Sequence, residues 1–102
     1  MLFRPLAKED LIEIWTFVAR RNLRAADEVL AAIEATAALL AEHPSIGTEV
    51  RSENSRLTGL RFHTLKRFRN YGLYYFPLVD GIDVVRVLER HRNARVLLEG
   101  GD

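Results

Sequence analysis

Residues 71–88 read YGLYYFPLVDGIDVVRVL, and this stretch decides the fold. Tyr71 to Phe76 is aromatic-rich and Ile82 to Leu88 is dominated by Val and Ile. Both suit a pleated, half-buried surface and predict two strands. Asp80-Gly81 between them is a tight-hairpin signal, because such turns need a positive φ that Gly and Asp tolerate. Working backward, Leu60-Arg61-Phe62-His63-Thr64-Leu65 alternates roughly and predicts a preceding strand, joined through a looser hairpin at Lys66 to Asn70. Forward, Asn93 to Glu99 suits a short helix or a frayed tail, closed by Gly100-Gly101.

The N-terminal half has a different period. Leu11, Ile14, Trp15 and Val18 recur at the spacing that lines one face of a helix beginning near Ala7. Glu9, Asp10 and Glu13 lie in its first turns and Arg20 and Arg21 in its last, in agreement with the helix dipole. Asn22 breaks the pattern. A second helix begins near Leu23, with Ala26, Val29, Leu30, Ile33, Ala37 and Leu40 on one stripe, and Pro44 and Gly47 end it. About three residues between the helices predict an antiparallel hairpin. Met1 to Arg4 suits a short strand that Pro5 stops, and Thr48 to Thr58 is polar enough to be a long loop. The predicted order is β-α-α-β-β-β, an α+β fold with a helical hairpin packed on a small antiparallel sheet.

The chain has 102 residues, 48% of them apolar, which predicts a single domain over residues 1–102 that buries one core without staples. It contains no Cys, a composition that suits a reducing, cytoplasmic compartment. The longest apolar stretch, Ala35 to Ala41, is far shorter than a membrane span of about 20 residues. Early charges at Arg4, Lys8, Glu9 and Asp10 leave no room for a signal peptide. Net charge is +1, yet residues 1–50 carry five basic and eight acidic groups whereas residues 51–102 carry ten and six. The basic half suits a nucleic acid or an acidic protein segment, or is simply a solvated surface.

Chemistry is sparse. His43, His63 and His91 are scattered over separate elements, so no metal site is expected, and no cofactor is implied. Neither a Gly-rich phosphate loop nor a Gly-x-Ser-x-Gly elbow occurs. Asp10 and Glu13 read as an ordinary solvated helix face. What remains is a basic and aromatic set: Arg61, His63, Lys66, Arg67, Arg69, Tyr71, Tyr74, Tyr75, Arg86, Arg90, His91 and Arg92. Arg61 and Arg86 fall inside predicted strands, where a charge needs solvent or a partner, so their sheet face is expected to be open. That face suits an RNA strand or an acidic protein segment, unless the arginines are solvated or pair with Glu89 and Asp83. An RNA-cleaving site would also need an acid and a base, for which only His91 or His63 is at hand. If Arg86 is exposed, its removal should change stability by about 0.5 kcal/mol or less.

At five places in order the chain resembles the RelE/ParE superfamily of type II toxins, and within it the ParE branch. Pro5 to Trp15 resembles the opening helix, and Glu42-His43-Pro44-Ser45-Ile46-Gly47 its closing turn. Gly59-Leu60-Arg61 resembles the start of the next strand, Phe68 to Tyr75 the one after, and Val85-Arg86-Val87-Leu88 with Arg92-Asn93 the closing strand and tail. The resemblance implies a small toxin held inactive by a cognate ParD-like antitoxin that lays a helix and an extended segment across it. ParE members are similar in poisoning DNA gyrase, whereas RelE members cleave messenger RNA on the ribosome. Arg95-Val96-Leu97-Leu98 lacks the tail Tyr of the RelE type, and the loop before the first sheet hairpin lacks paired lysines, so the resemblance favours the gyrase branch. It departs where Arg4 stands in place of a Ser helix cap and where Glu89-Arg90-His91 replaces a His-Gly-containing segment. It implies a non-enzymatic protein with target or antitoxin contacts at Arg61, Arg86, His91 and Arg92 and further surface contacts at Arg67, Arg69 and Tyr74. Direct nucleic-acid binding is not expected from it. The alternative is a ribosome-dependent endoribonuclease using Arg61, Arg86 and His91. A harmless interaction module would have the same fold.

Overall fold

The computed structural model describes residues 2–90 and 97–98. Strand β1 (Leu2–Phe3) is followed by helices α1 (Pro5–Ala19) and α2 (Leu23–Glu42), then β2 (Thr48–Glu49), a 3-10 turn at Ser55–Leu57, and strands β3 (Arg61–Thr64), β4 (Tyr71–Leu78) and β5 (Gly81–Glu89). The sheet order is β1-β5-β4-β3-β2. The expected α+β arrangement of a helical hairpin on a sheet is present, with two differences. A short strand, β2, pairs with β3 inside the stretch expected to be loop. The sheet is also mixed, because β1 runs parallel to β5 while the other pairs are antiparallel.

Pro5 opens α1 two residues earlier than the apolar pattern alone suggests, and its fixed φ suits the first helical position. Arg4 at the N-cap makes no capping bond. Its guanidinium instead grips Asp83 of β5, with the Nη2 to Oδ2 contact at 2.8 Å. Asn22 caps α2, its side chain accepting from the Ala25 N–H. Between the helices the Trp15 indole N–H donates to Asp27 at 2.9 Å.

The main core lies between the helices and one sheet face. Ile14, Val29, Ile33 and Leu40 meet Leu73, Tyr75, Ile82, Val84 and Val87 there. Strand alternation sends Tyr74 and Phe76 to the other face, where they pack with Leu57, Leu60, Val85 and Leu98. This second cluster corrects the expectation of an open face: the 3-10 turn and Leu98 cover it. In β5 the register slips, with Tyr74 opposite Arg86 but Tyr75 opposite Val84, so Val85 is an extra residue. The bulge lets Val84 and Val87 both face the helices while Val85 faces the second cluster.

The β4–β5 hairpin turns at Val79-Asp80, one residue before the expected Asp80-Gly81. Among the described non-glycine residues only Phe68 has a positive φ, so this turn does not use the geometry that motif favours.

Candidate interaction site

Strand β1 pairs with β5 only as far as Phe3 and Val84, and beyond that point α1 takes over the β5 edge. Asp10, on the buried stripe of α1, accepts the Val87 N–H at 3.0 Å, which β1 is too short to reach. The same carboxylate accepts two hydrogen bonds from Arg86, Nε to Oδ2 and Nη2 to Oδ1, both at 2.8 Å. The side chains are only 12% and 9% exposed. The hydrogen bond to Asp10 raises the Arg86 pKa above its ordinary value, outweighing the opposing effect of burial. A third donor, Arg86 Nη1, points at the Leu97 carbonyl at 3.4 Å.

Arg86 is therefore not on an open face, and the small stability cost expected for its removal does not apply. Neither Glu89 nor Asp83 is its partner, since Asp83 is held by Arg4. Asp10 in turn is not a solvated helix residue. The signal was present in the sequence: Ala7, Asp10 and Ile14 share the i, i+3, i+7 stripe, and an acid on a buried stripe needs a partner.

Arg61 is also engaged. Its Nη1 donates to the Gly47 carbonyl at 2.7 Å and the Ser45 carbonyl at 3.1 Å, tying β3 to the turn after α2. Tyr75, fully buried in β4, completes that anchor: its hydroxyl accepts from the Gly47 N–H at 3.0 Å and donates to the Pro44 carbonyl at 2.7 Å. Burial pushes the Tyr75 pKa up, opposed by the Gly47 bond and the Arg61 charge. Glycine is required at position 47, because a Cβ there would collide with the Tyr75 hydroxyl and ring.

The remaining predicted residues divide between two places. Tyr74 is half-buried with its ring against Phe62, centroids 4.6 Å apart, and burial raises its pKa. Arg67 and Arg69 are exposed in the β3–β4 turn, Arg67 reaching Glu28 at 2.7 Å and lying over the Phe68 ring. His91 and Arg92 lie outside the described residues. The structure thus does not bring the basic and aromatic set onto one surface.

A feature the sequence did not reveal is a groove of about 390 Å³ between α1 and the part of the β5 edge that, among the described residues, has no strand partner. Ile14, Phe17, Val87 and Leu88 supply its apolar wall, with Glu13, Arg20 and Glu89 among its polar groups. Phe17 is 58% exposed, and Ile12 on the same helix is 68% exposed. Among the described residues no group of three or more His, Cys, Asp or Glu could hold a metal ion, and no helix is long and apolar enough to cross a membrane.

A family model described as the ParE toxin of the type II toxin-antitoxin system parDE matches residues 1–94. The chain belongs to the ParE toxin family. A solved structure titled as the chromosomal ParDE toxin-antitoxin system from P. aeruginosa shares its fold, with a TM-score of 0.67 at 18% identity over 85% of this chain and 90% of that one. No curated protein matches the sequence. In this ParE-family chain the matched region takes in every element of the sheet, both helices and the Asp10–Arg86 pair.

Proposed function

We propose that this ParE-family chain is the non-enzymatic toxin of a type II toxin-antitoxin pair, inhibiting DNA gyrase and neutralised by a cognate ParD-like antitoxin. The observation that carries the choice against RNA cleavage is the state of the two strand arginines. A metal-free nuclease needs cations free to neutralise a scissile phosphate. Arg86 already has both its Nε and an Nη on a buried carboxylate, and Arg61 has its Nη1 on two carbonyls. Bringing Arg86 to a phosphate would leave Asp10 charged and buried, a state with a large desolvation cost.

The groove beside α1 suits the antitoxin. Its apolar wall and exposed Phe17 offer an amphipathic segment side-chain burial beside the β5 edge. The exposed Arg67 and Arg69, with Tyr74 and the His91 and Arg92 that follow β5, are proposed as contacts to the target or the antitoxin. Arg61 and Arg86 support those surfaces from within.

Two assays on the purified chain test this reading: gyrase supercoiling with trapping of cleavage complexes, and messenger RNA cleavage on translating ribosomes. Loss of supercoiling with intact message is the expected result. Codon-dependent cleavage with unaffected gyrase would overturn it and establish the endoribonuclease alternative. Harmless expression with neither effect would leave an interaction module.

A further inference from the structure

Charge order along the chain hides how folding arranges it. Arg20 near the end of α1 lines the same groove as Tyr71 and Glu89, so the helix end and the far end of the sheet are neighbours. Arg67 in the β3–β4 turn reaches Glu28 in the second turn of α2. The Arg90 N–H donates to the Asn70 carbonyl at 2.7 Å. The α1–α2 turn, the β3–β4 turn and the end of β5 therefore meet at one pole of the domain.

Folding thus brings Arg20, Arg21 and Arg24, from the acidic half of the chain, to Lys66, Arg67, Arg69 and Arg90 from the basic half. All are exposed. Of the carboxylates near this pole, Asp27 accepts from Trp15, Glu28 holds Arg67 and Glu89 lies beside Arg20 in the groove, so the cations outnumber them. Among the described residues, Arg67 is the one cation of this pole in an ion pair. Phe68 has φ of 68°, a conformation a bulky residue rarely adopts, and its ring packs against the main core. The turn thereby directs its aromatic side chain inward and its cations outward.

We propose that this pole binds the phosphate backbone of double-stranded DNA. Among the described residues the turns themselves expose one large apolar side chain, Leu23, and Phe17 lies farther along the groove, so the three turns present charge rather than the cluster of apolar anchors a protein partner would need. A single strand would need several exposed rings on which bases stack, whereas Phe68 packs inward and Phe17 is the one exposed ring near Arg20 among the described residues. Unpaired cations on three adjacent turns can neutralise phosphates without reading sequence. The proposal departs from the expectation drawn from the family resemblance and is an alternative to the protein contacts proposed above for Arg67 and Arg69; it does not depend on which target the toxin has.

The test is fluorescence anisotropy of a labelled duplex of about 20 base pairs with the purified full chain, between about 50 and 200 mM salt. The expected plot of log affinity against log salt has a slope of about −2.7 to −3.6, as three or four phosphate contacts require. The Arg20→Glu/Arg69→Glu variant should bind at least about tenfold more weakly, while Arg56→Glu, on the 3-10 turn, should bind as the parent does. Lys66→Glu/Arg90→Glu provides a second, independent pair, and thermal melts identify folded variants. Absence of binding at the lowest salt, or undiminished binding by both folded double variants, would overturn the proposal. So would a polyglutamate peptide that binds as tightly as the duplex, which would assign the pole to an acidic protein. Because no topoisomerase is present, failure here leaves the supercoiling result untouched, and the reverse holds as well.

Discussion

Replacing Asp10 by Ala should unfold this domain more readily than any surface substitution, and the size of the effect follows from what its carboxylate holds. Three hydrogen bonds end there, two from Arg86 at 2.8 Å and one from the Val87 N–H at 3.0 Å. Removing one partner of a buried ion pair leaves an uncompensated charge and costs about 3–5 kcal/mol. For a domain of this size each kcal/mol moves the melting temperature by about 4–8 °C, so Asp10→Ala should melt at least about 12 °C lower. Arg86→Ala should cost a similar amount, because it strands the carboxylate with the Val87 N–H alone. The double variant Asp10→Leu/Arg86→Met should recover part of the loss, since a well-packed apolar pair is often as stable as the ion pair it replaces, while the Val87 N–H stays without its acceptor at a cost of about 1–3 kcal/mol. Urea unfolding followed by circular dichroism compares the parent, both single variants and the double variant. Single variants within about 1 kcal/mol of the parent would refute the reasoning, because they would mean that water screens the pair.

Three further outcomes are expected. Tyr75→Phe should lower stability by about 1–3 kcal/mol, as the Gly47 N–H loses its acceptor and the Pro44 carbonyl its donor; Gly47→Ala should do comparable damage by overpacking the same contact. The pKa values of Tyr71, Tyr74 and Tyr75 are all raised above the ordinary 10.0, chiefly by burial. The native state therefore keeps protons that the unfolded chain releases, so stability is complete below about pH 10 and falls as pH rises through the folded-state values. Chemical denaturation at a series of alkaline pH values, with tyrosinate absorbance recorded alongside, checks this; a flat stability profile across that range would contradict it.

The helices were legible because their signal is local. Ala26, Val29, Ile33, Ala37 and Leu40 repeat along a single helix, and the structure buries all of them. Strands β4 and β5 were legible for the same reason, from aromatic and β-branched runs. The bulge at Val85 was not, because it depends on how two strands slide past each other rather than on either alone. The two residues of β2 are too few to carry a periodicity, and they take their shape from pairing with β3. Leu57 and Leu98 looked like loop and tail residues; only the fold places both against Val85. Most consequential is the Asp10–Arg86 pair, which joins positions 76 residues apart. The place of Asp10 on one stripe with Ala7 and Ile14 signals its burial, but its partner emerges only when α1 is laid along the β5 edge.

The shortness of β1 links that pair to the candidate site. A longer β1 would pair with β5 beyond Val84 and satisfy the Val87 N–H within the sheet. With β1 ending at Phe3, the chain turns into α1 and Asp10 takes over as acceptor. The substitution of a carboxylate for a strand fixes α1 beside the sheet edge without closing that edge, leaving the groove between Phe17 and Val87–Glu89 open. The ion pair thus sets the position of the wall against which an antitoxin segment would pack. An Asp10→Leu/Arg86→Met variant that stays folded should therefore still bind antitoxin differently from the parent, because the wall is no longer tied to the Val87 N–H. Equal affinity in titration calorimetry would show that the groove takes its shape from the apolar core alone.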